Sequence, residues 1–214
     1  MKNVIIIIKS VLPFLCFIFF VFSYVSSSAQ HSEDKSYLAG IEICKAKLET
    51  SQREKPGDLI FQGPECLVGH YLPDFEVTSI DGIKISNHSL KGKVSVINFW
   101  FLACTPCLAE IPGFQILVDK YGTEQFNFVA LGMDSVDDIR SYLKKHAWPF
   151  LHVANADDLI VVKFKHRWGY PTTFIVDENG VIISVFSAGL PDERAVAEIQ
   201  KKISPFLDAA LVKK

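Results

Sequence analysis

Two cysteines separated by two residues, Cys104-Thr105-Pro106-Cys107, carry the chemistry most readily read from this chain. A thiol pair at this spacing does one of three things: it exchanges with other disulfides, supplies half of a zinc site, or closes a small structural loop. Its position favours exchange. The run Val94 to Trp100 is mostly apolar, β-branched and aromatic, as in a strand covered on both faces. Pro106 to Tyr121 then has helical period, with Leu108, Ile111, Ile116, Leu117 and Tyr121 as core contacts. A pair between such a strand and helix lies at the helix mouth. With Cys104 at the N-cap, its sulfur faces unpaired backbone N–H groups and the positive end of the helix dipole, which favours thiolate. Cys107 falls one turn deeper. Cys104 is therefore assigned as nucleophile and Cys107 as the resolving sulfur, while Pro106 stiffens the first turn, where its missing N–H is not needed. A zinc site would need a second Cys-x-x-Cys or a His pair, and Cys44 and Cys66 lack that spacing.

The elements that must hold this pair follow an alternating order. Tyr37 to Leu48 reads as a short amphipathic helix, followed by a polar link. Phe75-Glu76-Val77 and Ile83-Lys84-Ile85 alternate about Asp81-Gly82 as a hairpin. After the buried strand and the Cys-x-x-Cys helix come a second buried strand, Phe126 to Met133, and a helix capped by Ser135 and running to about Lys145. A helix from Asp157 to Lys165, strands Thr172 to Asp177 and Val181 to Phe186 about a turn at Asn179-Gly180, and a final helix from Asp192 interrupted by Pro205 complete the chain. This order predicts an α/β fold, a central mixed sheet flanked by helices, with an N-terminal hairpin extension. Pro112, inside the Cys-x-x-Cys helix, is expected to bend it.

The run Val96-Ile97-Asn98-Phe99-Trp100-Phe101-Leu102-Ala103-Cys104-Thr105-Pro106-Cys107, followed by Glu110, Pro112 and later Gly169-Tyr170-Pro171-Thr172, resembles the exported TlpA/ResA-like branch of the thioredoxin-like redoxins. The resemblance spans about residues 68 to 207. It implies a thioredoxin-like fold, thiol-disulfide oxidoreductase activity without an organic or metal cofactor, and a cis peptide bond before Pro171 in a loop facing the two sulfurs. It also implies a proton-relay role for Glu110, since Asn98 occupies the strand position where thioredoxin carries a buried Asp and cannot titrate. Trp100, Thr105, Pro106, Tyr170 and Pro171 are the expected substrate-contacting residues, Trp100 packing beside the active-site loop and the backbone of Tyr170 and Pro171 pairing with an extended substrate. The chain departs from the family at Ala103, where a bulky Trp is usual; the small side chain opens the surface around Cys104. Expected partners are exported cysteine-containing proteins, reduced with electrons from a membrane thiol carrier. Two alternatives stand beside this reading. A thiol peroxidase is disfavoured because Phe101, three before Cys104, breaks the peroxidatic pattern. A copper-handling domain using His166 is disfavoured because such proteins carry Cys-x-x-x-Cys.

The chain has 214 residues and a formal charge of −2, within the range of one compact domain with decorations. The absence of a basic tract argues against nucleic-acid binding. Lys2 and Lys9, an apolar stretch and Ser27-Ser28-Ala29 have the form of a signal peptide over residues 1–29, with an uncleaved anchor through residues 4–25, or lipidation at Cys16, as rival readings. The domain reading is 1–29 leader, 30–67 N-terminal helix and linker, and 68–214 thioredoxin-like domain. Export, with the bacterial periplasm as compartment, is permissive for disulfides. It leaves Cys44 and Cys66 outside the active pair. A structural Cys44–Cys66 disulfide, two free thiols and a second redox relay all remain open for them. A monomer is expected. The six histidines share no metal-ligand spacing.

Overall fold

The computed structural model describes residues 35–55, 57 and 63–212; the expected leader and anchor lie outside the described residues. Among those residues no helix is long and apolar enough to cross a membrane.

The core is organised by β3 (Val94–Trp100), all seven of whose residues are buried. Alternate side chains of a strand point to opposite faces, and here each face meets its own layer. Ile97 and Phe99 enter one apolar cluster, while Val94, Val96 and Trp100 enter the other. Burying a side chain such as Phe99 contributes about 1.5–3 kcal/mol, so both faces are strongly specified and the register cannot slip. Around β3 a five-stranded sheet forms in the order β5-β4-β3-β6-β7, from β4 (Phe126–Gly132), β5 (Leu151–Val153), β6 (Thr172–Val176) and β7 (Ile182–Ser187). β3, β4 and β5 are parallel, whereas β6 and β7 run antiparallel. The sheet is therefore mixed, as the order of elements predicts. The N-terminal hairpin is also present, as β1 (Glu76–Thr78) paired with β2 (Lys84–Ser86).

One face of the sheet carries α2 (Thr105–Tyr121) and α4 (Arg194–Val212). The two helices approach closely at Gly113, where a Cβ would lie 2.2 Å from Ile199 Cγ2 and 2.9 Å from the Val196 carbonyl oxygen. The other face is covered by α1 (Tyr37–Glu54), the Pro64–Leu67 turn and the segment around Phe164. Tyr37 ties α1 to that segment by donating its hydroxyl to the Phe164 carbonyl at 2.7 Å. Between β4 and β5, α3 (Val136–Leu143) is capped by Ser135, whose Oγ accepts from the Asp138 N–H at 3.2 Å.

Three local expectations change and one strand, β5, is added. α1 runs six residues beyond Leu48, to Glu54. β5 has no period to read because it is only three residues long. Asp157 to Lys165 does not form an ordinary helix: a widened turn spans Leu159–Lys163, with the Phe164 N–H reaching the Leu159 carbonyl at 3.0 Å. That winding carries Phe164 to full burial among Tyr37, Phe75, Phe99 and Phe174. Finally, α4 continues through Pro205. Pro205 and Lys201, whose carbonyl loses its partner, are both exposed, so water solvates the freed group while Ile203 and Leu207 hold the helix to the core.

Candidate active site

Cys104 is the N-cap of α2, with extended backbone (φ −89°, ψ 94°), and its Sγ accepts from the Cys107 N–H at 3.3 Å. Thr105 and Pro106 form the first helical positions and Cys107 the third. The two sulfurs are bonded. Cys104 is 5 % exposed and Cys107 1 %, so an incoming nucleophile or disulfide reaches Cys104 first. Upstream, the turn from β3 is fixed at two points. The Cys104 N–H donates to the Phe101 carbonyl at 3.1 Å, and Asp134, just past the end of β4, accepts from the Leu102 N–H at 2.7 Å. Ala103 and Thr105 are exposed beside the pair, and Pro106 is half-buried.

Trp100 is completely buried, at 0 % exposure. Its ring lies 4.7 Å from that of Trp148, in the same cluster as Cys104, Cys107 and Ile139. It supports the loop from beneath and presents no surface to a substrate, which corrects its expected substrate-contacting role.

The Tyr170–Pro171 peptide bond is cis. Tyr170 is half-buried and packs edge-on against Phe101 at 5.3 Å, linking this loop to the turn that carries Cys104. The Pro171 carbonyl already accepts from the Ala188 N–H at 3.0 Å, and proline has no N–H to offer. Of the two residues expected to pair with a substrate backbone, only Tyr170 has a free N–H and C=O among the described residues.

Glu110 lies one turn beyond Cys107 on α2 and is 4 % exposed. Burial pushes its carboxyl up to about 8, against the lowering effect of the Lys202 ammonium. One carboxyl oxygen, Oε2, has no hydrogen-bond partner. The other faces Gly189: a Cβ there would lie 2.8 Å from Glu110 Oε1 and 3.0 Å from Pro171 Cγ. The carboxyl and the cis-proline ring thus converge on one backbone position that only glycine leaves open. Asn98, on the same face of β3, donates through Nδ2 to Thr173 Oγ1 at 3.0 Å.

Cys44 and Cys66 are bonded, 22 positions apart, and join α1 to the Pro64–Leu67 turn on the far face of the sheet. They stand apart from the Cys104–Cys107 cluster, with the sheet between. Among the described residues no group of three His, Cys, Asp or Glu side chains is placed to hold a metal ion. His166, the residue singled out for copper, has its Nε2 on the Gly169 carbonyl at 2.8 Å.

Gly189 and Asp134 belong to this site's surroundings and carry no signal in the sequence, while His166, considered in the sequence only as a copper ligand, is placed beside the cis-proline loop. Each reaches the site from a distant part of the chain, and none stands in a motif with the cysteines.

Comparison with known proteins agrees with this geometry. The AhpC/TSA family model matches residues 68–185. A thiol-disulfide oxidoreductase ResA of Bacillus thuringiensis subsp. konkukian is 31 % identical over 139 residues, covering 64 % of this chain and 79 % of the relative. The thioredoxin-like protein YneN of Bacillus subtilis is 32 % identical over 123 residues, covering 53 % of this chain and 68 % of the relative. A thiol:disulfide interchange protein of the thioredoxin family from Chlorobium tepidum superposes with a TM-score of 0.53 at 24 % identity, over 64 % of this chain and 95 % of that one, which shows the shared fold. By family match and by its ResA relatives, the chain belongs to the AhpC/TSA family, in the ResA-like branch of thiol-disulfide oxidoreductases with a thioredoxin fold.

Proposed function

We propose that this protein reduces disulfides in exported, cysteine-containing proteins through the Cys104–Cys107 pair, with the periplasm as its compartment. The observation that carries this reading is the placement of Cys104 at the N-cap of α2 with Cys107 one turn deeper. The helix terminus stabilises a Cys104 thiolate. That thiolate attacks one sulfur of a substrate disulfide, forming a mixed disulfide and releasing the first substrate thiolate. Cys107, deprotonated, then attacks Cys104 Sγ, releases the second substrate thiolate and closes the Cys104–Cys107 disulfide. Two electrons pass to the substrate, and its two sulfurs take up the protons given up by the pair. Glu110, with its carboxyl pushed up to about 8, holds a proton at neutral pH and serves as the local acid and base for Cys107. A thiol donor at the membrane restores the dithiol by the reverse exchange. Thr105, Pro106 and the free backbone of Tyr170 form the substrate-facing rim, and Ala103 leaves it open.

Trapping tests this function. In Cys107→Ala, Cys104 still attacks but the mixed disulfide is not resolved, so discrete covalent adducts with exported proteins accumulate and disappear on reduction. The double variant Cys104→Ala, Cys107→Ala shows none. Adducts that persist in the double variant refute the assignment of Cys104.

A further inference from the structure

The Gly169 carbonyl, immediately before the cis-proline dipeptide, lies within hydrogen-bond distance of three side chains. Thr172 Oγ1 lies 2.8 Å from it, Ser187 Oγ 3.2 Å and His166 Nε2 2.8 Å. The two hydroxyls bond each other, which uses one of their two protons and leaves the other for the Gly169 carbonyl or for the Trp168 carbonyl, 2.9 Å from Ser187 Oγ, so the imidazole is the donor that the Gly169 carbonyl does not share. Because a carbonyl only accepts, His166 must carry its proton on Nε2. Its Nδ1 is buried without a partner, which fits the same tautomer: a proton there would have nothing to donate to. Burial also holds this imidazole below its ordinary value, in the neutral form.

The ring does more than donate. It lies 5.0 Å from the Tyr170 ring, 5.3 Å from Phe99 and 5.8 Å from Trp168. Tyr170 in turn packs on Phe101, whose carbonyl accepts from the Cys104 N–H. His166 therefore grips the cis-proline loop twice, by the carbonyl before Tyr170 and by the Tyr170 ring. The backbone groups left free between these two grips are those of Tyr170.

We propose that His166 is a positioning residue for substrate: by clamping the Gly169 carbonyl and the Tyr170 ring, it holds the free Tyr170 N–H and C=O at the distance and angle that pair with an extended peptide next to Cys104. This rests on the exchange function proposed above and adds the specificity for extended polypeptide over small disulfides. Gly169, at φ +85°, sits in the left-handed region and gives the loop little stiffness of its own. Orientation of Tyr170 therefore comes from the clamp.

The test compares two substrates: an extended peptide carrying one cysteine as a mixed disulfide with glutathione, and hydroxyethyl disulfide, too small to span the loop. His166→Phe keeps a ring but removes the donor, and His166→Gln keeps a donor. For H166F the peptide KM is expected to rise about tenfold, with kcat and the hydroxyethyl disulfide rate within about twofold of wild type; H166Q should recover most of the KM. A wild-type peptide KM in H166F, or an equal loss on both substrates, overturns the clamp. Absence of exchange in the wild-type protein on either substrate would instead refute the underlying function. The 15N spectrum of the wild-type imidazole supplies a readout that needs no variant: the Nε2–H tautomer is expected, and an Nδ1–H tautomer overturns the proposal.

Discussion

Asp134 accepts a 2.7 Å hydrogen bond from the backbone N–H of Leu102, two residues before Cys104. The bond joins the ends of two neighbouring parallel strands, β4 and β3, and closes the turn that presents the nucleophile. Because a carboxylate acceptor makes a stronger bond than a neutral one, the turn is anchored at the point where the regular sheet ladder has ended.

Asp134→Ala is expected to leave the Leu102 N–H without its partner and to cost about 1–3 kcal/mol. Asp134→Asn keeps an oxygen acceptor and should cost less, about 1 kcal/mol. Chemical denaturation measures both, and alkylation of Cys104 in the reduced protein should change in the Ala variant as the turn loosens. Equal stability of wild type and the Ala variant would show that the bond contributes nothing.

Glu110→Gln tests the buried carboxyl. In the unfolded chain the group ionises near 4.5, whereas in the folded protein it does so near 8. Between those values the folded state holds a proton that the unfolded state has lost. The stabilisation is fully present below about 4.5 and is lost as pH rises towards 8, at up to about 1.4 kcal/mol per pH unit. E110Q should remove this slope, becoming more stable than wild type at pH 9. It should also slow exchange at pH 7 by about tenfold or more and shift the pH profile of Cys104 alkylation. Superimposable denaturation and alkylation profiles would leave Glu110 without a proton-linked role.

Replacing both Cys44 and Cys66 by alanine is expected to cost about 3 kcal/mol, the loop-closure value for a link of this length, while exchange by Cys104 stays within about twofold. Cys66 has more exposed surface than Cys104, 8 % against 5 %, so accessibility does not set the order of reduction. The order follows from leaving-group stability instead. A Cys104 thiolate is stabilised at the end of α2, so Cys104–Cys107 should open first in partial reduction followed by mass mapping. Earlier opening of Cys44–Cys66 would contradict this.

The sequence by itself determined what local chemistry and local period determine. β3 was legible because five of its seven residues are apolar, among them β-branched and aromatic ones, and α2 because its mouth carries Cys104 and a proline in the first turn. The hairpin at Asp81-Gly82 and the cap at Ser135 were legible for the same reason: both are local, the hairpin pairing Glu76 with Ser86 and the cap pairing Ser135 with Asp138. The cis bond before Pro171 came from family resemblance rather than from period, since a proline alone is compatible with either isomer.

Tertiary structure decided everything that depends on long-range approach. The widened turn before Phe164 exists because that ring fills a gap among Tyr37, Phe75, Phe99 and Phe174, which no nearby residue announces. Pro205 stays within α4 because the apolar face beyond it is needed against the sheet. Trp100 moved from a surface role to full burial because β3 directs it towards Trp148. Gly189 faces Glu110 across 79 positions of sequence, and a missing side chain leaves no pattern to read; only the folded chain, bringing the end of β7 against α2 and Pro171, gives that absence a consequence.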